Sequence, residues 1–468
     1  MASSAGSPSY SDSSGGSDLM ALLDQELETE NVEAAEQDNA SSAAEICQDP
    51  DTCVDGRQNK RRRLESGMVQ QQCPPHPGLM HGMCIRCGAE VSEPEQPGIP
   101  LRYLHLGLQI SSQEAERIRS QHLQLLLSKQ KLLLVLDLDH TLLVSTRMAD
   151  LPEDILPKAE QLLGEQGTGE QQQLFKLPHM LMWTKLRPGI REFLVEAHKL
   201  FELHIYTHGD QDYAAEMAKL LDPKKMLFGG RVISARDSTQ KHVKNLDVVL
   251  GADTSILILD DTEGVWPQHA ANLIQVDRYI FFPACTTRFG RSHKCLLETG
   301  QDEDADKGML STSLRVLKQV HTSLFQADQP HKEDVRQHLQ QLRRQVLLGV
   351  HLVFSHVIPL EQEMTQHPLW RLATQLGAVC HAKISDDVTH VVSSAQDTDK
   401  MHWAKRHNRH RVSVNWLFVS GFQWTRAKEA KYPVENRKAA VMLPNTIDDT
   451  AAALAGAGGG RGLMEDSD

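Results

Sequence analysis

No stretch of the 468 residues holds the ~18 to 20 consecutive apolar side chains that a membrane-spanning helix needs, and the amino terminus lacks the basic-then-apolar order of a secretory signal. Neither a membrane protein nor a secreted one is expected. Cysteine is scarce. Cys47, Cys53, Cys73, Cys84, Cys87, Cys285, Cys295 and Cys380 lie mostly in different segments, which argues against an extracellular disulfide framework and for the cell interior. An excess of positive charge is missing too: the formal net charge is -13, so nonspecific binding to bare nucleic acid, which requires clustered Lys and Arg against phosphates, is not expected. A basic peptide, or a phosphopeptide held in a local basic pocket, remains compatible with that charge.

Residues 1–56 contain no Lys or Arg but thirteen Asp or Glu, set among Ser, Ala and Gly. Such a segment cannot bury a substantial core and reads as disordered, with residues 19–27 able to form a short helix on a partner. Lys60-Arg61-Arg62-Arg63 follows, a nuclear import signal or a contact for an acidic surface. Cys73-x-x-His76 and Cys84-x-x-Cys87 then offer two pairs of soft ligands, with His81 to spare, which could close a tetrahedral Zn²⁺ site in a segment too short to fold on apolar burial.

What the chain has in abundance is apolar strand ending in acid. Residues 132–136 read Leu-Leu-Leu-Val-Leu and run into Asp137-Leu138-Asp139-His140-Thr141. That is the pattern of a parallel strand buried on both faces, releasing polar groups at the carboxyl edge where ligands of open α/β sheets bind. A helix is expected over 104–128, capped by Ser112, and a polar surface insertion over 149–178. Strand-like sequence at 180–185, 201–206, 228–234 and 255–259 alternates with helical sequence at 190–200 and 210–221, so the expected fold is a doubly wound α/β sheet. Asp260-Asp261 ends a second strand as Asp137 ends the first.

Three or four carboxylates gathered at strand ends require a cation, and oxygen-only donors favour Mg²⁺; Asp137, Asp139, Asp260 and Asp261 are the candidate ligands. Thr207, with the amides of His208 and Gly209, could hold phosphate oxygens, and Lys244 and Arg187 could neutralise them. The combination reads as a phosphoryl-transfer site with Asp137 as nucleophile and Asp139 as acid/base.

Asp137-Leu138-Asp139-His140-Thr141-Leu142, Trp183-Thr184-Lys185-Leu186-Arg187-Pro188-Gly189, Ile205-Tyr206-Thr207-His208-Gly209 and Ile258-Leu259-Asp260-Asp261 together resemble the haloacid-dehalogenase-type phosphatases that act on the RNA polymerase II carboxy-terminal domain. The resemblance covers roughly 103–300 and includes Val265-Trp266 and Tyr279-Ile280-Phe281-Phe282. It implies the roles already given to Asp137, Asp139, Thr207 and Lys244, and adds functional positions at Arg187 and Asp222. It further implies that Asp260 and Asp261 serve the metal and orient the lysine, with Asp261 the direct ligand. His208 stands where relatives commonly have Met, a change that could alter the pocket rim or its pH response.

Leu376-Gly377-Ala378, Thr389-His390-Val391-Val392 and Val414-Asn415-Trp416, after a strand over 346–354, resemble a BRCT module with Trp416 as core anchor. Ser355 with Lys400 or Lys405 could receive a phosphopeptide there, although His356 replaces the glycine common after the serine. Catalytic domain plus BRCT is the layout of the larger, TFIIF-associated polymerase phosphatases.

The expected organisation is a disordered acidic segment at 1–66 with the basic cluster at 60–63, a Cys/His-containing segment at 67–102, a catalytic domain at 103–300, a linker at 301–338, a BRCT domain at 339–440 and a disordered tail at 441–468. The implied substrate is the phosphorylated heptad repeat, the implied place the nucleus. A phosphatase for another nuclear phosphoprotein or a small phosphate ester, and a scaffold without catalysis, are the competing readings.

Overall fold

The computed structural model describes residue 73 and residues 75–91, 98–167, 169–288, 294–359 and 361–434, in two compact units divided between His122 and Leu123. The acidic segment at 1–66, its basic cluster at 60–63 and the tail at 441–468 lie outside the described residues.

In the first unit β1 (Gly78–Met80), β2 (Met83–Cys84), β3 (Ile99–Pro100) and β4 (Leu108–Ile110) form an antiparallel sheet in the order β2-β1-β4-β3. The helix expected from 104 begins only at Ser112 and runs to Ser128. Leu108 and Ile110 alternate with exposed Gln109, a strand period, and the cap is Ser111, whose Oγ accepts the Glu114 N–H at 3.2 Å.

The second unit is built on β5 (Leu132–Leu136). Then follow β6 (Leu143–Arg147), β7 (Leu174–Leu177), β8 (Met182–Leu186), β9 (Phe201–Tyr206), β10 (Val232–Ile233), β11 (Ile256–Asp260) and β12 (Leu273–Gln275). Strands β10-β9-β5-β11-β12 make one wholly parallel sheet, and every residue of β5, β9 and β11 is buried, as helices on both faces require. Register sets the site: Leu136 pairs with Ile205 on one side and Leu259 on the other, so Asp137, Tyr206 and Asp260 leave the sheet at one level.

The insertion after β5 is more structured than its polar sequence suggests. Strands β6-β8-β7 form an antiparallel sheet, and Leu151, Ala159 and Leu174 are buried with Trp183, Tyr279, Phe281 and Phe282. The linker expected at 301–338 is a larger correction. It holds a helix, Met309–Phe325, whose Met309, Leu310, Val316, Leu317, Val320 and Leu324 are buried in the main core, and the start of another, Val335–Gln345. Apolar residues there recur at helical spacing between polar ends, so the stretch completes one face of the sheet instead of connecting two bodies.

Strands β13 (His351–Ser355), β14 (Val379–His381), β15 (His390–Ser393) and β16 (His410–Val412) form the second, smaller sheet, parallel and ordered β14-β13-β15-β16. Trp416 is fully buried on the helix Val414–Gln423, its indole N–H donating to the Ala427 carbonyl at 2.8 Å. Trp424, at the end of that helix, sits in the main core under the Arg343 guanidinium.

Candidate active site

The five-stranded sheet delivers its carboxylates to one edge. Carboxylate oxygens of Asp137, Asp260 and Asp261 lie within 4.8 Å of one another, all three residues being buried. Lys244 crosses from the loop before β11, where its N–H is held by the Val265 carbonyl, and donates to Asp137 Oδ1 at 2.6 Å and Asp260 Oδ2 at 2.7 Å. Trp266 Nε1 donates to the same Asp260 oxygen at 2.9 Å, and the Thr262 N–H to the other at 2.8 Å. Asp261 is fixed by Arg278, whose Nε donates at 2.5 Å, and through its own N–H by Thr141 Oγ1 at 3.0 Å.

Charge does not balance within this cluster. Burial and the neighbouring Asp260 push the Asp137 carboxyl well above its ordinary range although Lys244 opposes them, and burial raises Asp260 as well. The same two carboxylates hold the Lys244 ammonium charged, above its ordinary value. A divalent cation fits the remaining need: three buried oxygen donors, no soft ligand, and three carboxylates against only two cations, Lys244 and Arg278. Asp137, Asp260 and Asp261 are the side chains that would hold Mg²⁺.

Asp139 stands apart from this set. Its Oδ1 accepts the Tyr213 hydroxyl at 2.6 Å, and Tyr213 is in turn linked through Ser145 to Thr184, each contact 2.9 Å. Beyond Asp139 the chain turns at His140, with φ of +65°, and Thr141 meets Asp261. His140 Nδ1 and Tyr279 O, 3.0 Å apart, brace that left-handed residue. Burial raises the Asp139 carboxyl and the Tyr213 hydrogen bond restrains the rise. A carboxyl so placed is suited to keep a proton for a leaving group.

Thr207 follows β9 and is buried; its Oγ1 accepts the Gly209 N–H at 2.9 Å. Position 209 must lack a side chain, because a Cβ there would stand 2.5 Å from the Tyr213 ring. His208 is pushed down to about 3 by burial, Lys244 and His242, so it is neutral at physiological pH and gives the site no switch in that range.

Two residues singled out beyond these face elsewhere. Arg187, fully buried, donates to Glu303 at 2.7 and 2.9 Å and to the carbonyls of Thr141 and Asp277 at 3.0 and 2.9 Å, so it braces the loop carrying Thr141. Asp222 caps the helix Gln211–Leu221, and its carboxylate accepts the N–H groups of Met226, Leu227 and Phe228 at 3.0, 2.7 and 3.2 Å. Sequence reasoning left Tyr213 and Arg278 unassigned. Tyr213 looked like one more apolar residue of an amphipathic helix, and nothing local marks Arg278 as Asp261's partner.

In the smaller domain Ser355 Oγ is 2.9 Å from Thr398 Oγ1, and Lys400 Nζ donates to the Phe354 carbonyl at 2.7 Å. Lys405 lies five residues further along the helix Asp399–Arg406, about 140° around its axis, and is exposed, so it does not converge with Lys400. His356 occupies a left-handed φ of +53°, which explains why glycine suits that position.

The carboxyl cluster has a measurable pH consequence. A carboxyl raised on folding binds more protons folded than unfolded, so metal-free protein loses stability as pH rises through the raised values of Asp137 and Asp260. Added Mg²⁺ is expected to restore stability most at the alkaline end, with proton release on binding. Melting curves with and without Mg²⁺ across pH test this; a Mg²⁺ effect that does not grow with pH would contradict it.

Known proteins resemble this chain in sequence and fold. The family described as NLI interacting factor-like phosphatase matches residues 132–298, and the twin BRCT domain matches residues 360–416. RNA polymerase II C-terminal domain phosphatase-like 4 of Arabidopsis thaliana is 39% identical over 442 residues, 92% of this chain and 97% of that protein. RNA polymerase II C-terminal domain phosphatase-like 3 of the same plant is 43% identical over 334 residues, 69% of this chain and 27% of its own length. The solved structure of Fcp1, an essential RNA polymerase II CTD phosphatase, superposes with a TM-score of 0.55 at 26% identity, covering 68% of this chain and all of that one. With a parallel-sheet catalytic domain of that phosphatase type and a BRCT domain after it, the chain belongs to the family of RNA polymerase II C-terminal-domain phosphatases.

Proposed function

We propose that this protein is a Mg²⁺-dependent serine phosphatase that acts in the nucleus on the phosphorylated heptad repeats of RNA polymerase II and so regulates transcription. The observation that carries the reading is the meeting of Asp137, Lys244, Asp260 and Asp261 at one sheet edge, with Asp139 held apart by Tyr213. Mg²⁺ bound among the carboxylates would supply positive charge that attracts the phosphate and disperses charge on its oxygens.

The chain's own groups account for the rest. An Asp137 oxygen attacks phosphorus in line, the bond from phosphorus to the serine oxygen breaks, and the Asp139 proton passes to that leaving oxygen. Asp139, now ionised, takes a proton from water; the water oxygen attacks phosphorus, its bond to Asp137 breaks, and phosphate departs with both residues restored. Lys244 offsets charge on the reacting oxygens, and the Thr207 hydroxyl, at the end of β9, is a phosphate donor. The three-stranded sheet, tied to Tyr213 through Ser145, would form one wall of the substrate groove.

The polymerase substrate is supported by the names of the relatives, and the nucleus by that substrate and by Lys60-Arg61-Arg62-Arg63. General transcription factor TFIIF is proposed as a partner on the resemblance to the larger enzymes alone. Mg²⁺-dependent phosphate release from singly phosphorylated heptad peptides, set against unrelated phosphopeptides of equal charge, tests the substrate. Clear preference for the heptads is expected; equal rates would leave a general phosphatase and sink the specific assignment.

A further inference from the structure

The catalytic chemistry makes no use of the first unit, yet that unit contains the one cluster of soft ligands among the described residues. Cys73, His76, Cys84 and Cys87 present one ligand atom each, all within 4.8 Å of one another. We propose that these four residues bind one structural Zn²⁺ as a Cys₃His centre, and that this ion, not an apolar core, holds the β1–β4 unit together.

The distances fit a tetrahedron. Zinc bonds of about 2.3 Å to sulfur and about 2.0 Å to nitrogen set the tetrahedral edges at about 3.8 Å between sulfurs and about 3.5 Å between sulfur and nitrogen. Cys84 Sγ lies 3.9 Å from Cys73 Sγ, and Cys87 Sγ lies 3.6 Å from His76 Nδ1. A disulfide would instead bring two sulfurs to about 2.05 Å.

The backbone folds tightly around the cluster. The strands β1 and β2 turn back at His81-Gly82, and the chain then curls under Cys84. Gly88, at φ of +70°, donates its N–H to the Cys84 carbonyl at 2.9 Å, and the Cys84 N–H reaches Ala89 O at 2.8 Å. The β1–β2 ladder pairs Leu79 with Cys84, so the ion would add a side-chain joint between the Cys73–His76 segment and the Cys84–Cys87 curl.

Apolar burial cannot replace that joint. Among the described residues of this unit, 73 to 122, the buried hydrophobic side chains are Cys84, Leu101, Leu108, Ile110, Ala115 and Ile118. Six such residues, one of them Ala and one a candidate ligand, make a small core, whereas zinc binding supplies folding energy directly.

Metal analysis of the full chain, purified with added zinc and freed of loose ions, tests the proposal. One zinc per chain is expected, retained by an Asp260→Asn/Asp261→Asn variant, which dismantles the acidic cluster, and reduced at least about tenfold by Cys84→Ser/Cys87→Ser. His76→Cys, which keeps four ligands, should still hold one metal, and its Co²⁺ form should gain thiolate charge-transfer intensity over wild type. Wild-type protein without zinc, or zinc that survives the double serine change, would overturn the assignment. So would a disulfide linking two of Cys73, Cys84 and Cys87, found by peptide mapping of the chelated, denatured, unreduced chain.

Discussion

Changing Asp137 to Asn is expected to lower phosphate release by about 10⁴-fold or more, the scale seen when a nucleophile is removed from a covalent mechanism. The amide keeps the shape of the carboxylate but has no charge and no oxygen capable of attack. Folding should survive the change. Asp137 is buried beside Asp260, and burial together with the Asp260 charge already raises its carboxyl, so a neutral group there relieves a cost while forgoing one Lys244 contact. The variant should melt no lower than wild type without Mg²⁺ and still bind phosphopeptide. Single-turnover assays with a singly phosphorylated peptide measure the loss; residual activity above about one part in a hundred would remove Asp137 from the nucleophile's role.

Lys244→Met should fail in a different way. Turnover is expected to fall about 10²- to 10³-fold, the effect of deleting one charged donor from a preorganised site. Stability should fall as well, by about 3 kcal/mol, because Asp137 and Asp260 both lose the ammonium that meets them in a buried setting. Trp266 and Thr262 still hold Asp260, but Asp137 keeps no comparable partner side chain among the described residues. Adding Asp137→Asn to Lys244→Met should recover most of the stability and none of the activity. Denaturant melts paired with phosphate-release assays separate the two effects; if the lysine variant loses activity in proportion to its unfolded fraction only, Lys244 has a structural role and no catalytic one.

Much of the fold was legible locally. A strand buried on both faces has no polar side chain until it ends, so residues 132–136 and 256–259 announced both their own burial and the position of the acids after them. Alternation and helical spacing likewise located β9 and the helices Ile190–Leu200 and Gln211–Leu221. The linker expected at 301–338 misled, because its polar ends bracket a helix whose apolar face has meaning only once there is a sheet to cover. The insertion misled for the same reason: Leu151, Ala159 and Leu174 look isolated until Trp183 and Phe282 supply their partners.

The candidate site divides along the same line. The chemical identity of Asp137, Asp139, Thr207, Lys244, Asp260 and Asp261 is present in the sequence, since strand-end acids, a hydroxyl before a helix and a lysine before the last acidic strand end are local patterns. Which of them act together is not. The register that sets Leu136 beside both Ile205 and Leu259 brings Asp137 and Asp260 to one level, and the turn at His140 separates Asp139 from them and gives it to Tyr213. Arg187 and Asp222 could equally have faced phosphate; tertiary packing instead commits Arg187 to Glu303 and two carbonyls, and Asp222 to three backbone N–H groups. Burial and charge are properties of residues in order, so the strand-end carboxylates and their need for a cation are written in the chain before it folds. The pairing of each charge is not written there, because electrostatic partners are set by distance across the fold and not by spacing along the chain.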